Sequence, residues 1–338
     1  MKAWTITEDR KLELVTEAGR PADPGCVKIK ISHVLVSNVD LNAFTREGGH
    51  RPVIPGGSCC GMVVETGEGV RDLERGDRVF VGPDRFCGEC PECKAGRYAS
   101  CENVSYRGSD CDGFIRDFAV VRAEDCTKLP ERISDKEAVF LDYISTAVDI
   151  MSTLNAEKGE HIAISGAGAL GCILAQVALY YQAVPILVDM DAEFLAKAAA
   201  MGVYYTVNTV ENDARTKIFH ITGGKMAECA VHIATAGSSV ARTLSFAGRG
   251  GRVVVVGRKD CHSDLTCSLV PVVANELTVM GVTGAEKSTQ TAINMLANKA
   301  VTVLPLITVQ TTFDEVPEVF AQAAATPSPH MKIIVSDK

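Results

Sequence analysis

The sequence lacks the features of membrane-spanning, exported and fibrous proteins. Its apolar runs are short, as at residues 251–257, and none approaches the 18 or more residues of a membrane span. No basic segment followed by an apolar one precedes the first predicted strand, so nothing points to export. Apolar residues make up 46% and charged residues 22%, which excludes a disordered, collagen-like or coiled-coil chain. We therefore expect a globular cytoplasmic protein.

Positive charge is in the minority. Lys and Arg together number 34 against 42 for Asp and Glu, and the net charge is -8. An acidic balance without a basic run argues against nucleic acid or an anionic membrane as the main partner. The expected partner is a small-molecule substrate, and a length of 338 residues suggests two domains.

The cysteines predict a metal site and no disulfide framework. The chain has 13, an odd number without an export signal, which fits reduced thiols. Cys87, Cys90, Cys93 and Cys101 lie in one loop containing Gly and Pro, with spacings of two, two and seven residues. Four thiolates at such spacing suit one structural Zn2+ per chain, in a lobe over residues 85–103. Four reduced thiols and an iron–sulfur cluster are the alternatives. The bacterial cluster run, however, continues with three residues and Cys-Pro, whereas Glu102 follows here.

The distribution of strands and helices predicts an α/β protein. Short strands punctuated by Gly and Pro fill the chain up to about residue 142. From residue 161, apolar strands alternate with helical stretches, which is the pattern of βαβ units and a doubly wound parallel sheet. After residue 284 come further helices and a last strand, a return segment whose packing partner the pattern alone does not show.

A glycine-rich turn predicts a dinucleotide site. The apolar strand at 162–165 runs into Gly166-Ala-Gly168-Ala169-Leu170-Gly171 and then into an apolar helix. The first glycine allows a tight turn, the second lets the pyrophosphate approach the backbone, and the third lets helix and strand pack closely. The helix N-terminus offers N–H groups to the phosphates. This is the arrangement of a Rossmann fold.

The residue that ends the next strand predicts which dinucleotide binds. Asp189 stands where an acid accepts hydrogen bonds from the adenosine ribose and repels a 2′-phosphate. Met190 and Asp191 follow it, so no Arg or Lys is present to receive that phosphate. We expect NAD(H) in preference to NADP(H). A solvated acid after a strand is the alternative interpretation of Asp189.

These features resemble the medium-chain dehydrogenase/reductase family, in particular its zinc-type alcohol, polyol and threonine dehydrogenases. Besides the cysteine lobe and the glycine-rich turn, the matching segments are Pro55-Gly56, residues 61–67, 76–79, 112–114 and 250–254, and Met331-Lys332. The resemblance implies a GroES-like catalytic domain (residues 1–146), a Rossmann domain (147–284) and a return segment (285–338) that completes the first domain, with the active site in the cleft between domains.

The resemblance also implies further contacts. By family position, Ala234, Val256, Gly257 and Lys332 join the cofactor site. A homodimer or homotetramer is expected, with the strands at residues 253–256 and 277–282 as the contact.

The chain departs from the family at the ligands of its catalytic zinc. The family's C-G-[ST]-D-x-H run reads Ser37-Asn-Val-Asp40-Leu-Asn42 here, and its G-H-E run reads Gly56-Gly57-Ser58. Only Asp142 matches an acidic third ligand. Neutral Ser and Gly do not replace a thiolate and an imidazole around zinc, so we expect the catalytic zinc to be missing. A displaced metal site of Cys59, Cys60, His50 and Asp142 is the alternative, but the two cysteines fit packing next to a strand better.

Without zinc, a side chain must handle charge on the substrate oxygen. The candidates by position are Ser37, Asp40, Ser58, His50, Asp142 and Tyr143. We favour Asp142 and Tyr143, because a carboxyl in a dry cleft can be held protonated and act as a general acid. A helix N-cap is the structural interpretation of Asp142.

Three functions remain open. The first is a zinc-independent NAD-linked dehydrogenase acting on an alcohol, polyol or sugar-like, and its carbonyl partner. The second is a reductase of a conjugated C=C bond, where the charge spreads over an enolate and a metal is less needed. Family members without catalytic zinc do this, but they usually lack the four-cysteine lobe. The third is a non-catalytic NAD-binding protein.

Overall fold

The chain forms two compact units in the computed structural model. The model describes residues 1–45, 52–233, 240–257, 268–284, 288–325 and 332–337. Met1–Asp142 and Val303–Lys338 make up the first unit, and Tyr143–Thr302 make up the second. Within these described ranges, no helix has both the length and the apolar character needed to span a membrane.

The secondary structure changes character between the units, as the sequence predicts. The strands are β1 (Lys2–Ile6), β2 (Leu12–Thr16), β3 (Cys26–Val36), β4 (Ser58–Thr66), β5 (Arg78–Val81), β6 (Asp84–Arg85), β7 (Ser105–Tyr106), β8 (Phe118–Arg122), β9 (Cys126–Lys128), β10 (His161–Ser165), β11 (Val184–Asp189), β12 (Tyr205–Asn208), β13 (Ala227–Ile233), β14 (Ala247–Val256), β15 (Thr278–Val282), β16 (Val309–Thr312) and β17 (Ile333–Ser336). The helices are α1 (Asn38–Thr45), α2 (Pro91–Lys94), α3 (Asp135–Ala138), α4 (Leu141–Leu154), α5 (Ala169–Tyr180), α6 (Ala192–Ala200), α7 (Ala214–Ile221), α8 (Val240–Leu244), α9 (Val270–Ala274), α10 (Thr289–Ala297) and α11 (Val316–Ala325).

The first unit is built on a seven-stranded sheet. Its order is β16-β17-β3-β4-β5-β9, and β8 also pairs with β3. Along β3, the apolar residues Val27, Ile29 and Ile31 alternate into the core. A register shift between Ile31 and His33 then lets Val34 face the same core.

The part of the return segment from Val303 onward belongs to the first unit. β17 pairs antiparallel with β3, with Ile333 opposite Val36. Near the start of the chain, the Trp4 indole Nε1 donates to the carbonyl of Phe313 at 2.7 Å. The C-terminal strands β16 and β17 therefore complete the seven-stranded sheet, whereas β1 pairs with β2 in a separate two-stranded sheet and is bonded to the return segment through Trp4.

The second unit holds a six-stranded sheet in the order β12-β11-β10-β13-β14-β15. All of its strand pairs are parallel. The expected doubly wound parallel sheet is confirmed. β14 is paired on both sides, so residues 253–256 offer no strand edge to another chain. Of the two expected contact strands, β15 lies at an edge of the sheet among the described residues, and β12 forms the other edge.

The second unit extends to Thr302, beyond the boundary expected at residue 284. Ser288, just before α10, donates its backbone N–H to Ser145 Oγ at 3.1 Å. The side chain of Gln176 in α5 bonds both the N–H and the carbonyl of Thr302, at 2.8 and 3.1 Å. These bonds hold α10 against the helices of the second unit, although its sequence looks like the start of the return segment.

Candidate functional site

The four cysteines of the lobe converge. Their Sγ atoms all lie within 4.8 Å of one another, and three of the four side chains are buried. The Sγ atom of Cys87 lies 3.8 Å from that of Cys93 and 3.6 Å from that of Cys101. Thiolates about 2.3 Å from a tetrahedral zinc are about 3.8 Å apart, so the geometry fits the ion. With four protein ligands, such a zinc has no open position and serves the structure.

The backbone of the lobe prepares the thiolates. Cys90 caps α2, where Pro91 starts the helix, and its Sγ accepts the N–H of Cys93 at 3.4 Å. Cys87 Sγ accepts the N–H of Cys90 at 3.4 Å. This bond is the main cause that lowers the pKa of Cys87 to about 6. Burial raises the pKa of Cys93 to about 12. Cys87 therefore favours the thiolate and Cys93 the thiol. A divalent cation would bring all four cysteines to the thiolate form, because it stabilises the four negative charges together.

A buried ion pair anchors the lobe, and sequence reasoning missed it. The Arg107 guanidinium donates to the carbonyls of Gly82 and Asp84 and to Asp125 Oδ2, at 2.9, 2.8 and 2.6 Å. The side chains of Arg107 and Asp125 are only 6% and 10% exposed. Arg122 joins Asp125 and also donates to the carbonyl of Phe86 at 2.8 Å. Because Arg107 and Asp125 are 18 residues apart, no local sequence pattern predicts their ion pair.

Ser37 and Asp40 bond to each other and to the neighbouring loop. Asp40 is buried, and its Oδ2 accepts the Ser37 N–H at 2.7 Å and the Ser37 hydroxyl at 3.0 Å. Its Oδ1 accepts the N–H of Gly56 at 2.7 Å. Burial raises the pKa of Asp40. The hydrogen bonds from Ser37 and Gly56, and to a smaller extent the charge of Lys332, reduce this rise. The pair therefore fixes the start of α1 against the loop before β4.

The position aligned with the family's histidine ligand, Gly57, has close neighbours. A Cβ on Gly57 would lie 3.3 Å from both the Arg107 carbonyl oxygen and Pro83 Cβ, tighter than nearly all real contacts of this kind. Ser58 next to it is buried in β4 and pairs with Leu35. The Ser37 hydroxyl is committed to Asp40 and Gly57 carries no side chain, so these two positions supply neither the thiolate nor the imidazole of a catalytic zinc site and do not fit that ion.

The displaced metal site is not assembled either. Cys59 and Cys60 are adjacent in β4, so their side chains point to opposite faces of the sheet. Cys59 belongs to the apolar core, and burial raises the pKa of both thiols well above the usual range. Among the described residues, the only cluster with metal-ligand geometry is the cysteine lobe. His50 lies outside the described residues.

Asp142 and Tyr143 lie in the first turn of α4, and both are half-buried. The helix begins at Leu141, so Asp142 is inside the first turn and is not its N-cap. Its carboxyl Oδ1 is buried, and its charge is one of those that raise the pKa of Cys60. Tyr143 is the first residue of the second unit.

The glycine-rich turn has the geometry that a pyrophosphate site needs. Gly166 has a φ of 115°. A Cβ on Gly171 would lie 1.8 Å from the carbonyl oxygen of Gly166, so only glycine fits at residue 171. Gly168 caps α5, and a Cβ there would meet nothing within 4 Å. Ala169 and Leu170 open the helix. The turn is therefore closely packed where Gly171 meets Gly166 and has free space at Gly168. Such free space at a helix N-terminus fits the pyrophosphate of a dinucleotide.

Asp189 reaches this turn from the end of β11. Its Oδ2 accepts the N–H of Ala167 at 2.6 Å, and its Oδ1 accepts those of Met190 and Asp191 at 2.7 and 2.9 Å. A carboxylate has about four acceptor positions, so one remains for a ribose hydroxyl, and displacing the Ala167 bond frees another.

The other expected cofactor residues are scattered. Val256 is buried at the end of β14, and Gly257 follows it and donates its N–H to the Val282 carbonyl at 3.1 Å. Lys332 is buried in the first unit, beside the start of β17. Ala234 lies outside the described residues. Their contact with a cofactor stays a prediction.

Comparison with known proteins agrees with both units. Residues 23–131 match the model of the alcohol dehydrogenase GroES-like domain, and residues 169–298 match that of the zinc-binding dehydrogenase domain. Among solved structures, galactitol-1-phosphate dehydrogenase from Escherichia coli superposes with a TM-score of 0.90 at 24% identity, over 99% of this chain and 100% of that one. This likeness shows the fold.

Two curated relatives are similar over most of their length. A zinc-type alcohol dehydrogenase-like protein from Haemophilus influenzae is 30% identical over 310 residues, covering 91% of this chain and 90% of the relative. The L-threonine 3-dehydrogenase of Pyrococcus furiosus is 30% identical over 293 residues, covering 84% of each. The chain therefore belongs to the zinc-type, alcohol dehydrogenase-like part of the medium-chain dehydrogenase/reductase family, whose members are NAD(P)-dependent oxidoreductases.

Proposed function

We propose that this chain is an NAD(H)-dependent dehydrogenase that interconverts an alcohol and a carbonyl compound without a catalytic zinc. The observation that carries the proposal is the donor set at two positions: the Ser37 hydroxyl is committed to Asp40, and Gly57 has no side chain and close neighbours. The names of its relatives, a threonine and a galactitol-1-phosphate dehydrogenase, favour a small polar alcohol such as a polyol or sugar derivative.

The cofactor preference rests on Asp189. NAD, when bound, supplies the hydride acceptor or donor on its nicotinamide ring. The N–H groups at the start of α5 would hold the pyrophosphate, and the Asp189 carboxylate would bond the ribose hydroxyls. Since Met190 and Asp191 follow, a 2′-phosphate would meet negative charge and no cation from this segment.

The proton needs a donor other than Ser37. Its hydroxyl donates to Asp40 Oδ2 and accepts the Val39 N–H at 3.2 Å, so it belongs to a closed network. Asp40 accepts three hydrogen bonds in the same network. Both residues position the loop and do not exchange a proton with a substrate. We assign the general acid to Asp142, with the Tyr143 hydroxyl as the second candidate.

We further propose a homodimer formed through β15. This strand is the edge of the second unit's sheet, and Thr278, Val279 and Gly281 on it are exposed. An unpaired edge with apolar side chains is a ready template for pairing with another strand, and two-fold symmetry makes the second copy a self-complementary partner.

The first experiment is elemental mass spectrometry on protein purified without added metal, followed by a panel of alcohols, ketones and enones with NAD(H) and NADP(H). We expect about one zinc per chain and NADH-linked turnover of an alcohol/carbonyl pair. About two zinc ions per chain would contradict the metal-free mechanism. Turnover of enones alone would instead indicate a C=C reductase, and tight NAD binding without any turnover a non-catalytic protein.

A further inference from the structure

A groove with three cations lies away from the glycine-rich turn in the second unit. It has a volume of about 420 Å3, and its lining includes Arg215, Lys225 and Arg249. Lys225 precedes β13, and Arg249 is the third residue of β14. The strands are parallel, and the glycine-rich turn follows the C-terminal end of β10. The groove therefore lies near the N-terminal ends of β13 and β14, and the glycine-rich turn lies at the C-terminal end of the neighbouring β10.

Close backbone packing brings these cations together. A Cβ on Gly248 would lie 2.5 Å from the Lys225 carbonyl oxygen, so only glycine lets the segment that carries Arg249 lie against Lys225. Arg215 and Phe219 are four residues apart in α7 and share one face of that helix. The Phe219 ring rests against Gly224, where a Cβ would be 3.3 Å from Cζ.

The three cations form no salt bridge among the described residues, although Arg215 lies close enough to Asp213 for its charge to act on that carboxylate. In the described part of the chain, Arg215, Lys225 and Arg249 take part in none of the ion pairs, and no acidic side chain lines the groove. The nearest acid in sequence, Asp213, caps α7 and bonds the N–H and hydroxyl of Thr216 at 2.9 and 2.5 Å. In a chain of net charge -8, this groove is a local concentration of positive charge.

We propose that the groove binds an organic phosphate of the nucleotide class, with its phosphates on Arg215, Lys225 and Arg249 and its ring against Phe219. Guanidinium groups match phosphate oxygens with paired hydrogen bonds. Phe219 is 44% exposed and offers the apolar surface that a base requires. The volume lies within the range of about 300–1,000 Å3 typical of small-molecule sites, so a small ligand fits better than a protein. This site is separate from the dinucleotide site and does not depend on the proposed reaction.

The test is isothermal titration calorimetry with ATP on the full chain, with NADH at saturation so that the dinucleotide site is filled. We expect ATP to bind once per chain. Binding should be at least about tenfold weaker in an Arg215→Gln/Arg249→Gln variant, since each hydrogen bond between charged groups contributes about that factor or more. Lys225→Gln should weaken it in the same direction. Lys217→Gln removes an exposed cation of α7 outside the groove and should leave the affinity unchanged.

Two further readouts make the result decisive. Added salt should weaken ATP binding, because exposed charges are screened, and uncharged adenosine should bind much more weakly than ATP. The variants change exposed side chains, so their NADH affinity and melting temperature should match those of the unaltered protein. The proposal is overturned if ATP does not bind beside NADH, or if the Arg215→Gln/Arg249→Gln protein binds it as tightly as the unaltered one.

Discussion

The first unit contains the cysteine lobe and the three positions that we compare with the family's catalytic-zinc ligands, and the two regions differ in almost every respect. In the cysteine lobe, four thiols lie within 4.8 Å of one another, and backbone N–H groups already bond their sulfur atoms. At the vacated positions, by which we mean Ser37, Gly57 and Asp142, one hydroxyl is bonded internally, and a side chain at residue 57 would require its neighbours to shift. The cysteine lobe has the ligand geometry for a cation, whereas Ser37 at the vacated positions bonds to its own neighbour Asp40.

The difference follows from how each region is assembled. The lobe takes all its ligands from one loop, so one helix cap and a few N–H bonds keep it intact. The vacated positions come from three separate segments, which only the fold brings into one unit. When the ligand side chains are lost, such a site can be filled by its surroundings: Asp40 ties Ser37 to Gly56, and a Cβ on Gly108 would lie 2.6 Å from Asp40 Oδ1.

The largest expected effect comes from breaking the lobe. In a Cys93→Ser variant, we expect the zinc content to fall from about one per chain to near zero. The free energy of unfolding should fall by about 4 kcal/mol or more, because a structural metal contributes directly to folding. Elemental analysis and denaturant unfolding measure both. Cys111→Ser, a half-buried cysteine outside the four, is the matched control and should keep its zinc. A Cys93→Ser protein that retained its zinc would show that the lobe is not the site.

The next effect tests what replaces the lost Lewis acid at the vacated positions. Asp142→Asn keeps the size of the side chain but removes the proton, so kcat should fall by about 100-fold or more. One limb of the pH–rate profile should disappear. Glu131→Gln, an exposed acid of the same unit, should leave the profile unchanged. Activity within twofold of the unaltered protein would exclude Asp142 and direct attention to Tyr143→Phe.

A third variant attempts to rebuild the second metal site. Ser37→Cys/Gly57→His/Ser58→Glu restores the ligand types of the family, but a side chain at residue 57 meets the Arg107 carbonyl and Pro83. We expect no second zinc and a loss of stability of about 1–3 kcal/mol from overpacking. Ser37→Cys alone should be much milder. A second equivalent of zinc in the triple variant would show that the vacated positions remain open, and would remove the main support for the metal-free mechanism.

The smallest effect concerns how the vacated positions respond to pH. Burial raises the pKa of Asp40 above its unfolded value. The folded state therefore binds the proton more tightly, and the contribution of Asp40 to stability is full below the unfolded pKa and lost as pH rises through the folded pKa. Asp40→Asn cannot ionise, so its unfolding free energy should decline less over the same interval. Denaturant unfolding at several pH values compares the slopes; parallel slopes would contradict the assignment.

The parts predictable from sequence are those that depend on neighbouring residues. The spacing of Cys87, Cys90, Cys93 and Cys101, the glycines of residues 166–171 and the alternation of strands and helices all act over a few positions. Their geometry follows from local backbone rules, so the structure places them as expected. The prediction of missing zinc ligands at Ser37 and Gly57 also rests on residue type alone, because neither residue offers a thiolate or an imidazole.

Only the tertiary structure decided the features that join distant segments. It placed α10 with the second unit, paired β14 on both sides, separated Cys59 from Cys60 across a sheet, and buried the Arg107–Asp125 ion pair. It also placed Arg107 and Pro83 close to Gly57 and gathered three cations beside Phe219. Each depends on which backbones come within a few ångströms of each other. That proximity is set by the packing of whole elements, and residue order within one segment does not contain it.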